Sequence, residues 1–430
     1  MARPKAQRRR RLLVHYTVQP EIFPPPTDDV PDPTPPLTLQ LSDLPAIAIQ
    51  KIFQGLDLTS LMRARAVCAA WKNFVYSYHF RRYLSVACPP IQPWFVFLNA
   101  HVFAVIPRMA DHVPVYIAAA DQLCCIQLPK PRDGAIPWNV DLMTCAYGLV
   151  CVPYRTEMID VDLCNLFTGE SLCLQRPPEA WSTGVLHSVN LWMVDKNAWH
   201  YQVIIVTSVK HSSSLSGEAY RDFEVNFYDK KEGRWFKGYT TTMPAEYYFP
   251  LRNGCSAICK DILYILVQVQ SRNDIENFKI YAFNLRRNVN EGTIGIPEFE
   301  GIVNIPKEWE NAHIFGCNER LVLVAIIKGE LTVWKLADDP EDRWGWVMIT
   351  HMPSTLLFSK LSINNAFLFK FYGQGNSIYF LQNQNARLFL LELHENDTVQ
   401  WRITSTTQNP KRVRHIYRGF CFEPRLDSIL

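Results

Sequence analysis

The side chains best equipped for chemistry are scattered along the chain rather than grouped. Twelve cysteines are present, with Cys124 and Cys125 adjacent and Cys255 and Cys259 four apart, but there is no CxxC pair, so the spacing of a zinc site is missing. A serine nucleophile of the hydrolase type is announced by GxSxG, which lifts the hydroxyl onto a sharp turn; the motif does not occur. A phosphate-binding loop needs a glycine-rich turn that opens a helix. Gly373-Gln374-Gly375 is followed by an apolar run that predicts a strand, so it reads as a hairpin turn. The eleven histidines are dispersed. We read no catalytic residue, no metal site and no cofactor, and expect a chain that binds rather than one that catalyses.

Composition narrows the partners. With 44 basic and 41 acidic residues, the net charge of +3 gives no reason to expect nucleic acid. No segment approaches the apolar length of ~20 residues that spans a bilayer, so no membrane partner is expected. The apolar stretch Leu12 to Val14 is interrupted at once by His15, which leaves no secretory core. The cysteines then read as reduced, mostly buried thiols in a reducing compartment, the nucleus or the cytoplasm. Arg3, Lys5 and Arg8 to Arg11 form a basic start that fits either a nuclear-import signal or a plain solvated end.

Four segments follow. Eight of the seventeen residues from Pro20 to Pro36 are proline, which favours an extended, water-exposed chain, so residues 1–40 read as a basic, proline-rich disordered tail. Residues 41–80 are strongly helical, residues 81–93 read as a linker, and residues 94–430 are a β-rich domain of short apolar runs separated by turn residues. In the helical block Pro45 suits the first position of a helix. Ile49, Ile52, Phe53 and Leu56 then fall at i, i+3, i+4 and i+7, on one face. Asp57 or Thr59 can cap a second segment, along which Leu61, Ala64, Val67, Cys68, Trp71 and Phe74 continue an apolar stripe. A block this short cannot bury Trp71 together with Ile52 and Phe53 by itself. Its cover is either the β-rich domain or another protein.

Leu44-Pro45, Ile52-Phe53, Leu56, Ser60-Leu61, Arg63, Arg65, Val67-Cys68 and Trp71 resemble the F-box consensus, in which LP opens the first helix of a three-helix domain and R-x-R-x-V-C-x-x-W runs through the second and third. Ala46-Ile47 stands where many members carry an acidic residue. The resemblance implies that Leu44, Pro45, Ile49, Ile52, Phe53, Leu56, Leu61, Val67, Cys68 and Trp71 insert into the Skp-type adaptor of a Skp–cullin–F-box ligase.

In the β-rich domain one plan recurs, an apolar strand, a polar turn and a tryptophan opening the next strand. Phe223 to Asp229 precedes Trp235, Leu331 to Leu336 precedes Trp344, and Leu388 to Leu393 precedes Trp401. Repeats of roughly 50 residues with such signals indicate propeller blades, six or seven over this length and more comfortably six. The tryptophans are expected to wedge between blades. Cys164-Asn165-Leu166-Phe167-Thr168-Gly169-Glu170, with Pro177-Pro178 beyond it, resembles the recurring N-P-x-T-G stretch of plant-type F-box/kelch-repeat proteins, and Phe422 to Asp427 resembles their C-terminal strand. Ser212 to Ser214 and Ser216 lie in a polar loop at 209–222, either a blade connection or a segment that contacts a target.

The expected fold is thus mainly β, a three-helix F-box followed by a degenerate kelch-type β-propeller. The expected function is substrate recognition for a ubiquitin ligase, with an adaptor, a cullin reached through it, and an unidentified target protein as partners. Two alternatives stand beside it: an adaptor-bound scaffold or transcription partner without a ligase role, and a propeller enzyme.

Overall fold

The computed structural model describes residues 45–56, 58–87 and most of 92–425; the longer stretches it does not describe there are 100–111, 128–135, 178–183, 213–218, 270–276, 287–297, 338–344, 354–368 and 405–416. The chain divides into two compact units, residues 1–56 and 57–430.

The first unit contributes α1, Ala46–Gln54. Pro45 precedes the helix rather than occupying its first position, because its ψ of 143° is extended. Its carbonyl nevertheless starts the helical ladder by accepting from Ala48 N at 2.8 Å and Ile49 N at 3.1 Å. Gly55 closes the last turn through bonds to Lys51 O and Ile52 O.

The second unit begins with three further helices, α2 (Leu58–Ala64), α3 (Ala69–Val75) and α4 (Tyr78–Ala87). The described helices therefore number four where the sequence predicts three, and α4 runs across the boundary expected at residue 80. Phe80 and Leu84, at i and i+4, are the buried side of α4. Thr59 lies inside α2, not at its cap, and Asp57 is outside the described residues. The stripe expected from Leu61 to Phe74 is broken. A turn follows Ala64, and Cys68 is extended (φ −157°, ψ 165°) with its sulfur accepting from Trp71 N at 3.5 Å, so it caps α3.

The rest is a six-bladed propeller. Blade one holds β4 (Ile136–Pro137), β5 (Thr144–Ala146), β6 (Leu149–Arg155), β7 (Ile159–Asn165) and β8 (Ser171–Cys173). Blade two is β9 (Val185–Asp195), β10 (His200–Ser212), β11 (Ala219–Asp229) and β12 (Arg234–Pro244). Blade three is β13 (Tyr247–Tyr248), β14 (Ser256–Cys259), β15 (Ile262–Val269), β16 (Asn277–Asn284) and β17 (Glu298–Asn304). Blade four is β18 (Glu310–Cys317), β19 (Arg320–Ile327), β20 (Glu330–Leu336) and β21 (Trp346–His351). Blade five is β22 (Phe369–Gln374), β23 (Ser377–Gln382), β24 (Arg387–Leu393) and β25 (Val399–Ile403). Blade six takes its inner strand from the end of the chain, β26 (Tyr417–Phe422), and its other strands from the beginning, β1 (Trp94–Asn99), β2 (His112–Ile117) and β3 (Gln122–Gln127), in the order β26-β1-β2-β3.

Strands β5, β9, β14, β18, β22 and β26 touch in that order and return to β5, so the ring is closed. Each blade is strongly twisted and leaves two apolar faces, which it covers with its neighbours. Val225 and Phe227 of blade two thus pack with Leu263 and Ile265 of blade three, and Val322 and Val324 of blade four with Phe380 and Leu391 of blade five. The tryptophans take the expected place. Trp235 packs in the core shared by blades one and two and donates from Nε1 to Gln175 O, while Trp401 packs in that of blades four and five. Trp344 is outside the described residues; the tryptophan seen opening β21 is Trp346, packed between blades three and four.

Candidate functional site

Antiparallel strands reverse direction at every step, so a four-stranded blade puts its first and third connections at one end and its second, with the link to the next blade, at the other. The first end is built of tight turns. Tyr147-Gly148, Lys260-Asp261, Asn318-Glu319 and Gly375-Asn376 each join two strands with two residues. The first three have positive φ at both residues, the backbone that matches the twist of a two-residue hairpin. Only 285–297 and 337–345 are long connections there.

The same end is tied from blade to blade. Trp192 of blade two donates from Nε1 to Asp261 Oδ1 of blade three at 3.0 Å, and Asn318 of blade four donates from Nδ2 to Leu393 O of blade five at 3.0 Å. Asp397 of blade five accepts from Arg320 and Lys335 of blade four at 2.6 Å each, and the hydrogen bond from Lys335 leads in holding its carboxyl below the usual range. At Asp229 burial alone would raise the carboxyl. Bonds from Gln202, His200 and the Glu232 amide outweigh it and hold that group low as well.

This is also the end that α4 meets. The Asn165–Glu170 stretch singled out in the sequence is the β7–β8 turn: Asn165 Oδ1 accepts from Thr168 N at 3.2 Å, Gly169 N bonds Asn165 O at 2.9 Å, and Gly169 has φ 73°. Its last residue, Glu170, lies 3.7 Å from the Arg81 guanidinium on α4. Pro93, just before β1, accepts from the Tyr379 hydroxyl at 2.5 Å, and Gln92 Nε2 donates to buried Glu392 at 2.8 Å. The opposite end carries the connections 100–111, 213–218, 270–276, 354–368 and 405–416.

The residues expected to bind an adaptor differ in exposure. Ile52 is 47% and Val67 65% exposed, and Pro45 and Cys68 are exposed too. Ile49, Leu56 and Trp71 are half-buried, Phe53 and Leu61 are buried, and Leu44 is outside the described residues. Ile47, which the pattern did not single out, is 70% exposed. It lies off the i, i+3, i+4, i+7 face, so a search for the buried side of the helix passes it over.

Reactive groups are muted. Cys151, Cys164, Cys255, Cys259, Cys317 and Cys421 are buried free thiols, and burial pushes Cys164 and Cys317 up to about 12, far from the thiolate form. Of Gly373-Gln374-Gly375, which the sequence reads as a hairpin turn, Gly375 stands in the β22–β23 turn, while Gly373 and Gln374 are paired residues at the end of β22. Among the described residues no group of three or more His, Cys, Asp or Glu is placed to hold a metal, and no helix is long and apolar enough to cross a membrane.

Helices with an F-box pattern and a closed ring of six sheets define the architecture: an F-box region followed by a six-bladed β-propeller. Residues 41–83 match the F-box domain. The chain is 23% identical over 407 residues to an F-box/kelch-repeat protein of Arabidopsis thaliana, covering 89% of either protein. Among solved structures it is similar to the α-L-arabinofuranosidase of Fusarium graminearum, at 10% identity over 65% of this chain and 84% of that one, with a TM-score of 0.38. It is also similar to the acylaminoacyl peptidase of Pyrococcus horikoshii, at 7% identity over 72% of this chain and 47% of that one, just under half of the enzyme, with a TM-score of 0.32. At these scores neither enzyme carries an argument about this chain.

Proposed function

We propose that the chain is the substrate-recognition subunit of a Skp–cullin–F-box ubiquitin ligase. The helices bind a Skp-type adaptor, and the propeller holds a target protein at the end that carries the long connections. The observation behind this reading is the exposure of Ile47, Ile52 and Val67 within an F-box in which Phe53 and Leu61 are buried and Ile49, Leu56 and Trp71 half-buried. Such side chains gain about 1.5–3 kcal/mol each when fully covered, and an adaptor surface supplies that cover. The ligase then works by proximity. A target lysine kept beside the ubiquitin-conjugating enzyme meets it at a high effective concentration, and no residue of this chain performs the chemistry. Buried, free thiols fit a reducing compartment, the nucleus or the cytoplasm.

The test is co-purification with a Skp-type adaptor. Ile47→Glu, Ile52→Glu and Val67→Glu, at exposed positions, are expected to leave the thermal midpoint within a few degrees of the wild type while reducing adaptor capture by at least about tenfold, the equivalent of ~1.4 kcal/mol. Equal capture by the triple variant would sink the docking proposal. An adaptor-bound scaffold predicts the same capture but no adaptor-dependent ubiquitination of proteins retained by the propeller, so a reconstituted ubiquitination reaction separates the two.

A further inference from the structure

At the long-connection end, blade two extends its β10–β11 hairpin, and one charge on it, Arg221, has no acidic partner among the described residues. Side chains alternate faces along a strand, so Arg221 and Phe223 lie on one face of β11, and Tyr220, Asp222 and Glu224 on the other. Arg221 pairs across the ladder with Lys210, and Phe223 with Ser208, which places Lys210 and Arg221 side by side above Ser208.

Arg221 NH1 donates to Ser208 Oγ at 3.0 Å, and Ser208, itself fully buried, lies 2.6 Å from Nε2 of buried His187. The Nε of Arg221 is covered and meets no acceptor among the described residues. The acids of the strand are engaged elsewhere: Asp222 with His211 at 3.0 Å and Thr242 at 2.9 Å, Glu224 with Asn226 at 3.1 Å and Lys237 at 3.8 Å. Exposed Lys210 is likewise without an acidic partner among the described residues. His187 cannot help, because burial and then the neighbouring guanidinium push it down to about 3 and keep it neutral.

A half-buried guanidinium with an idle donor is an unfavourable arrangement unless something supplies an acceptor. Its planar fork fits an oxyanion, carboxylate or phosphate, better than any neutral group. We propose that Arg221 and Lys210, set over Ser208, form a receptor for an oxyanion on an acidic side chain of the captured protein. The nature of the ligand rests on the reading of this end as the target-binding end; the existence of an anion site does not.

The test therefore has two arms, both on the full chain. In the first, thermal midpoints are measured in sodium phosphate and in sodium chloride at equal ionic strength. Phosphate is expected to raise the midpoint of the wild type but not of Arg221→Gln, with Arg221→Lys between them. An equal rise in Arg221→Gln, or none in the wild type, overturns the site. In the second, degenerate peptides centred on phosphoserine, glutamate or serine are retained on immobilised protein. A preference of about tenfold for either acidic set over serine, lost in Arg221→Gln, is expected; which set leads distinguishes phosphate from carboxylate. Retention that ignores the central residue overturns the proposal. Lys210→Gln, at an exposed position that does not threaten folding, is expected to weaken the preference severalfold and covers the case in which Arg221→Gln misfolds. If phosphate binds at Arg221 but acidic peptides are not retained, the anion site stands and its use in target capture falls. If neither happens while the long connections still prove necessary for target capture, only this inference fails.

Discussion

Closure of the ring depends on a residue with no side chain. Gly419 stands in the middle of β26, where six residues pair with Trp94 to Asn99 of β1. A Cβ at position 419 would lie 2.4 Å from the Phe95 ring and 2.4 Å from the carbonyl oxygen of Val96. Comfortable contacts between heavy atoms lie near ~3.5–4.0 Å, so Gly419→Ala requires a movement of roughly an ångström. Phe95 cannot provide it. The ring is fully buried and meets Tyr372 edge-on at 5.2 Å and Phe97 at 4.8 Å, and the second obstacle is backbone. The strand itself must shift, against a ladder whose bonds contribute about 1 kcal/mol each, on top of the ~1–3 kcal/mol usual for overpacking. We expect a loss of about 3 kcal/mol or more. The control is Gly233→Ala, where φ is 67° but nothing lies within 4 Å of the added carbon, so only left-handed strain of roughly 1–2 kcal/mol applies. Urea unfolding followed by tryptophan fluorescence measures both. A Gly419→Ala midpoint no lower than that of Gly233→Ala would refute the reasoning.

Further predictions concern charge. Unfolded His187 titrates near its ordinary 6.5 but in the fold only near 3. Below pH 6.5 the unfolded chain takes up a proton that the native chain refuses, and stability falls as pH drops, by up to about 1.4 kcal/mol per unit. His187→Gln removes that slope, so its stability relative to the wild type should improve by about 2 kcal/mol between pH 8 and pH 5; parallel unfolding curves at the two pH values would contradict this. Two acids test the effect of burial. Glu392, 1% exposed, accepts from Arg402 Nε at 2.7 Å, again from the Arg402 NH2 group, and from Gln92, and Glu392→Ala is expected to remove about 2–3 kcal/mol. Asp397 bridges two cations, Arg320 and Lys335, but is 44% exposed on its side chain, so Asp397→Asn should remove less than about 1 kcal/mol. Equal losses in urea would show that burial does not govern these pairs.

The sequence carried those parts of the fold that local pattern encodes. Phe223 to Asp229, Leu331 to Leu336 and Leu388 to Leu393 lie in the third strands of blades two, four and five, legible because each is an apolar run bounded by turn residues. The closing blade was not legible as such. Its two halves, β1 to β3 and β26, lie at opposite ends of the propeller sequence, and the pairing of Trp94 with Phe422 leaves no local mark. The apolar stripe of the helices misled at Val67 and Cys68, since hydrophobicity alone does not report that Cys68 turns extended to cap α3. Helix α4 carried a readable signal in Phe80 and Leu84, but proximity to the strand pattern hid it. Arg221 could not have been singled out. An unpaired cation is recognised only when the neighbours of the acids around it are known, and His211 and Lys237 come from other strands.

The division of each blade into a tied end and an open end has a consequence for how such a molecule can change. Insertions or substitutions between β1 and β2, or beyond β21, fall away from the clasps at Asp261 and Asp397 and from the Arg81–Glu170 contact. On the proposed reading, changes there can alter what the propeller holds while the seams of the ring stay as they are, so specificity and stability can vary separately.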